Sequence, residues 1–194
     1  MTITTVSVSG GMTVDSGRVE REAQSLLAGS YFLLVPKRFS YTYPQNALVQ
    51  VLGRLPRVAH ASVTRTSRTT LSVVLVEYTP SALWCSTQGV REDAEQDFGG
   101  ECLYISEDGF AFAEAPLLEG AVLLRYVTEN RSPVLGTPLA PPAYMQVTRA
   151  FVRAVLLAHG MHIYKITQTT EGDMRYQVQG GGELLVGADA DMQE

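Results

Sequence analysis

The sequence is poor in the side chains that do chemistry. Among 194 residues there are three histidines, two cysteines and one tryptophan. A Ser–His–Asp triad needs an aligned base and its orienting partner, and no Gly-x-Ser-x-Gly elbow surrounds any serine. His159 and His162 straddle Gly160, which reads as a helix stop, so they share no helical face and no metal site is expected there. A zinc site is equally unexpected, because Cys85 and Cys102 lack two further ligands. The run Gly180-Gly181-Gly182 is without the lysine and helix of a phosphate loop. Glu92, Asp93, Glu95 and Asp97 lack the alternating Asp/Asn and glycine of a calcium loop and read as a solvated loop. No window holds the roughly 20 apolar residues of a membrane helix. The opening MTITTVSVSGG has no cationic region followed by an apolar run, so no signal peptide is visible. Two readings of compartment follow: a cytosolic protein, or one whose upstream anchor has been cut away.

What is present describes an ordinary globular chain. Hydrophobic residues make up 45% and charged residues 18%, enough to bury a real core in one large or two small domains. The net charge of −5 hides an asymmetry. Residues 1–84 carry eight Lys/Arg against four acids, whereas residues 85–194 carry seven against sixteen. Such a chain would lie naturally with its basic half nearer an anionic membrane surface, although scattered surface charge explains the balance equally well. Nucleic acid is not an expected partner, because no basic stripe runs beside an aromatic set on a sheet.

The densest pattern runs from Leu55 to Cys85. Val58, His60, Ser62 and Thr64 alternate with Ala59, Ala61, Val63 and Arg65, and Leu71, Val73, Leu75 and Glu77 alternate with Ser72, Val74, Val76 and Tyr78. Two strands joined by the polar turn Thr66–Thr69 are predicted. Upstream, Ile3–Ser9 alternates as a strand. Asp15 or Ser16 can cap a helix whose inner face is Val19, Ala23, Leu26 and Leu27, with Gly29 as its stop. Tyr31–Phe39 is an apolar connector. Pro44 suits the first turn of a second helix with Ala47, Leu48, Val51 and Leu52 inward. The predicted order is β-α-α-β-β.

A second unit starts at Ser81. Ala82–Cys85 and Leu103–Phe112 read as paired strands, with Glu107-Asp108-Gly109 a tight turn inside the latter. A strand is predicted at Ala121–Val127. A helix over Tyr144–His159 has Val147, Phe151, Val152, Val155 and Leu156 on one face, and a meander follows over Met161–Val186. The tail Gly187–Glu194 lacks pattern and reads as frayed. The two cysteines sit at the base of a long polar loop between paired strands. A disulfide there, implying an oxidising compartment, is the expectation, with two reduced thiols as the alternative.

The element order and several motifs together resemble one family. The residues are Leu55-Pro56-Arg57-Val58, the strand Ala61–Arg65, Thr70-Leu71, and the run Glu77-Tyr78-Thr79-Pro80-Ser81-Ala82-Leu83-Trp84, a Glu-x-x-Pro-x-Ala-x-Trp pattern. Tyr104–Phe112 adds an aspartate-glycine turn. They resemble the extracytoplasmic part of the FtsQ/DivIB cell-division family, well over residues 3–112 and loosely over 144–187. The resemblance implies an α+β chain with a POTRA (polypeptide-transport-associated) domain at 1–80. That domain is a three-stranded sheet with two helices. A mainly antiparallel β domain with one long helix at 81–194 follows. Relative to the family, the membrane helix and the last helix and strand are absent, so the native protein is expected to carry an N-terminal anchor. The cysteine-flanked acidic insert is not general to the family.

The implied function is a non-enzymatic divisome scaffold at the extracytoplasmic face of the bacterial membrane. Its partners would be other membrane-anchored division proteins, with no cofactor, metal, nucleic acid or small-molecule substrate. The second POTRA strand is a partner surface in that family, which by position points to His60, Val63 and Arg65. Val63 also reads as core, and Arg65 as a plain edge charge. Glu77, Pro80, Trp84 and Gly109 read as fold-holding, Glu77 and Trp84 at the joint between domains. A POTRA module of a protein-transport or outer-membrane assembly machine is the alternative, and it would bring tandem POTRA units or a β-barrel. An enzyme with an unrecognised site is a third reading.

Overall fold

A computed structural model describes residues 1–32, 34–86, 101–116, 120–129 and 131–187. The loop bearing Glu92, Asp93, Glu95 and Asp97 and the tail beyond Gly187 lie outside the described residues. The chain is α+β and divides into two compact units, Met1–Tyr78 and Thr79–Glu194.

In the first unit, β1 (Thr5–Ser9) buries Val6 and exposes its alternate serines and threonine. Gly10 follows at φ +72°, and a Cβ there would lie 2.2 Å from the Leu75 carbonyl oxygen, so only glycine fits. Asp15 caps α1 (Ser16–Leu27) by accepting from the Gly17 N–H at 2.9 Å. The four-residue spacing of Val19, Ala23 and Leu27 makes its buried stripe. A small hairpin, β2 (Ser30–Tyr31) and β3 (Val35–Pro36), leads to α2 (Gln45–Leu52), which buries Leu48 and Leu52.

β4 (Val58–Arg65) and β5 (Thr70–Glu77) form the antiparallel pair that the alternation predicts. β1 joins β5 in parallel, giving the order β1-β5-β4. A parallel partner needs a long crossover, and the two-helix segment supplies part of it. Strict alternation would place Val58 on the His60 face. A bulge between Val58 and His60 shifts the phase instead, so Val58 is buried with Ala61 and Val63. Those residues, Leu71, Val73 and Leu75 meet the helical stripes in one apolar cluster.

Glu77 ties the end of β5 to the entry of α1. Its carboxylate accepts from the N–H groups of Thr13 (2.9 Å) and Val14 (2.8 Å) and from the Thr13 hydroxyl (2.7 Å). Partial burial opposes ionisation, but those hydrogen bonds and the nearby Arg57 outweigh it and hold the carboxyl below its usual range.

Among the described residues, the second unit holds one seven-stranded mixed sheet and a helix. Its strands are β6 (Ala82–Cys85), β7 (Cys102–Ile105), β8 (Ala111–Glu114), β9 (Leu124–Thr128), β10 (Ile163–Gln168), β11 (Met174–Val178) and β12 (Glu183–Val186). They are ordered β12-β11-β10-β9-β6-β7-β8. Hairpin-linked antiparallel strands make both flanks, as expected. The centre is parallel, β6 with β9 and β9 with β10, the second step crossing through α3 (Pro142–His159). Periodicity tells a strand from a helix but not which strand it joins.

Trp84 is fully buried at this centre. Its indole N–H donates to Thr128 Oγ1 at 3.1 Å, and the Arg131 guanidinium lies 4.6 Å over its ring. The Thr128 hydroxyl donates to the Arg131 carbonyl, and Arg131 donates to the Leu139 carbonyl. Gly109 has φ +80°, and a Cβ there would come within 2.8 Å of Met145 Cγ, so the turn is also the place where α3 approaches the sheet. That contact helps fix the helix's rotation. α3 buries Met145, Thr148 and Val155 and leaves Val147 55% and Phe151 36% exposed, which departs from the hydropathic stripe read in the sequence. A threonine on the inner face carries no hydropathic signal. Phe151 instead packs its ring 4.9 Å from Tyr176.

Cys85 and Cys102 are register partners on β6 and β7 and form a disulfide, with Cα atoms 4.1 Å apart. It closes the 17-residue separation between them. In the loop-entropy picture such closure contributes about 3 kcal/mol. Such a bond fits an oxidising, non-cytoplasmic compartment.

Two stability measurements follow. Replacing both cysteines with alanine is expected to lower the denaturant stability of the second unit by about 2–4 kcal/mol; superimposable unfolding curves would contradict this. Glu77→Gln is expected to cost about 1 kcal/mol at neutral pH. Because folding lowers the Glu77 pKa, its contribution is complete above the unfolded glutamate value of about 4.3 and is lost as pH falls through the folded value. The wild type therefore loses stability in that acidic window while the variant curve is flatter there; identical pH profiles would contradict it.

Candidate functional site

β4 pairs with β5 on one side only, so it forms one margin of the three-stranded sheet. A strand margin carries backbone N–H and C=O groups that need partners, and an extended segment can supply them. The structure places the three residues expected to mark this surface quite differently.

His60 is exposed, on the sheet face opposite the helices and in line with Ser62 and Thr64. Val63 is 1% exposed and belongs to the core. Its carbonyl accepts from Gln45 Nε2 at 2.7 Å, so the first residue of α2 already satisfies part of the margin. Arg65 reaches across to donate to the Ser40 carbonyl at 2.6 Å and stacks 4.8 Å over the Tyr41 ring. The segment 40–45 therefore covers the Val63–Arg65 end of β4. Ala59 and His60, beside the bulge, are the exposed part of the strand before that cover. Of the three residues, His60 alone offers its side chain at the open stretch. Gln45, which has no signal in strand patterning, decides how much of the margin is available.

The second unit has two margins. Along β8, Ala111 donates to the Thr137 carbonyl and accepts from the Gly136 N–H, so a connector covers its first residue. β12 is the other, and it exposes Leu185 by 68% and Val186 by 37%. Arg175 and Glu183 pair at 2.9 Å beside it.

A cleft of about 450 Å³ in the second unit is lined by Arg131, Leu139, Ala140, Pro141, Tyr144 and Gln168. Among its described lining residues the charged one, Arg131, donates to the Pro138 and Leu139 carbonyls and covers Trp84. Burial pushes the hydroxyls of Tyr126, Tyr144 and Tyr176 above the ordinary tyrosine value, so all three stay neutral across the physiological range. Among the described residues, no three His, Cys, Asp or Glu side chains come together in a way that could hold a metal ion. No helix among them is long and apolar enough to cross a membrane.

Glu77, Pro80, Trp84 and Gly109 fall outside the margin. Glu77 serves the first unit as a backbone cap, while Trp84 and Gly109 serve the second as packing centre and turn. Pro80 lies in the stretch between β5 and β6. Comparison with protein-family models and with curated proteins finds no match to this chain.

Proposed function

We propose that this chain is a non-enzymatic scaffold of bacterial cell division, with a POTRA domain of the FtsQ/DivIB type followed by the family's β domain. The observation that carries the reading is the topology of Met1–Tyr78. Two helices and three strands are joined so that β1 and β4 flank β5 and the helices share one apolar cluster with a single sheet face. The Glu-x-x-Pro-x-Ala-x-Trp run begins at the last residue of that sheet and ends at Trp84.

Its partners would be other membrane-anchored divisome proteins. They would dock at the open Ala59–His60 stretch of β4 by backbone pairing, with His60 as the adjoining side chain. This contact needs no reactive group. The Cys85–Cys102 disulfide supports an extracytoplasmic place of action.

The test is depletion of the full-length protein in its host. Cells are expected to elongate without completing septa, and re-expression is expected to restore division. Normal septation after complete depletion would overturn the reading.

A further inference from the structure

We propose that the β2–β3 hairpin is a membrane-contact element that seats in the interface of an anionic lipid bilayer. The inference is independent of the division reading. It begins with exposure where exposure is costly. Phe32 is 95% and Leu34 85% exposed, and Val35, Phe39 and Tyr41 follow at 39%, 37% and 76%. Single exposed apolar residues are ordinary, but five large ones within ten positions, two of them at one hairpin tip, are the signature of an interaction surface.

The backbone presents this patch deliberately. Phe32 has φ +48°, a conformation that a bulky residue rarely adopts. The Leu34 N–H donates to the Tyr31 carbonyl at 3.0 Å, and the Lys37 N–H closes the base on the Gly29 carbonyl at 3.0 Å. The Ile3 N–H donates to the Arg38 carbonyl at 2.8 Å, and Thr2 bridges Phe39, so the hairpin is fastened to the strand layer.

The charge around it selects the occupant. Lys37 and Arg38 follow the hairpin directly and Arg65 reaches Tyr41, while no acidic residue falls between Glu22 and Glu77 in the sequence. Lys37 Nζ lies 5.8 Å from the Tyr31 ring, and the Arg65 guanidinium 4.8 Å over Tyr41. Cations are thus held against the aromatics at the base of an apolar tip. That is the order of groups met on entering a bilayer: phosphates at the basic and tyrosine level, acyl chains at the Phe32 and Leu34 level.

The test uses the full chain and vesicle flotation. Phosphatidylcholine vesicles are compared with vesicles containing phosphatidylglycerol. The protein is expected to float with the anionic vesicles and to be released by salt. Phe32→Ser with Leu34→Ser is expected to weaken partitioning by about tenfold or more with an unchanged melting curve. Lys37→Gln with Arg38→Gln is expected to weaken it by about fivefold per charge. A tryptophan at position 34 (Leu34→Trp) should shift its emission to the blue and be quenched by brominated lipid. Absence of flotation, or undiminished flotation of the Phe32/Leu34 variant, would overturn the proposal. So would a concentration-dependent dimer abolished by the same variant, which would assign the patch to a second copy of the chain.

Discussion

A strand paired on one side has to put the hydrogen-bonding groups of its other side somewhere. In this protein that strand is β4, and how its margin is treated organises the first unit. One end is sealed by side chains: Gln45 on the Val63 carbonyl, Arg65 folded back onto Ser40 and Tyr41. The other end carries a bulge that turns Val58 into the core and leaves Ala59 and His60 exposed. Sealing and bulging are both known ways to blunt an edge. Here they leave a short, defined stretch for pairing. A short open stretch admits one extended partner segment and resists indiscriminate sheet growth.

Most of the architecture of the first unit was legible in the sequence, because its elements are strongly periodic and well punctuated. Val19, Ala23 and Leu27 announce α1, and Leu71, Val73 and Leu75 announce β5. What could not be read is what depends on meetings between distant residues. Nothing in the pattern of Leu124–Thr128 says that it joins β6 and β10 in parallel. The face of α3 was legible in part, with Val155 buried and Val152 against the core but Met145 and Thr148 missed, for a related reason. Its rotation goes with Met145 seating on Gly109, a contact across many residues, and a buried threonine contributes no hydropathic weight.

The candidate site was legible only in part. Its strand could be located, and its exposed histidine lies where the alternation put it. The cover could not be seen, because Gln45 opens a helix far from β4 in sequence and looks like any polar helix residue. Val63 illustrates the opposite difficulty. Its position on the strand was readable, but its role is core packing with only its carbonyl at the margin. The residues Tyr31–Phe39 read as an apolar connector, a reading that does not say where its side chains lie. The exposure of Phe32, Leu34, Val35 and Phe39 is a tertiary fact. Both surfaces rely on backbone presentation and on packing.

The most direct measurement of the docking mechanism is site-specific photo-cross-linking in living host cells, with the probe placed in turn at Ala59, His60, Gln45 and Ser7. Partner addition at the open stretch of β4 predicts adducts to one membrane-anchored protein from positions 59 and 60 and none from position 7 on β1. Adducts distributed equally over all four positions, or absent from 59 and 60 in dividing cells, would contradict strand pairing at this margin.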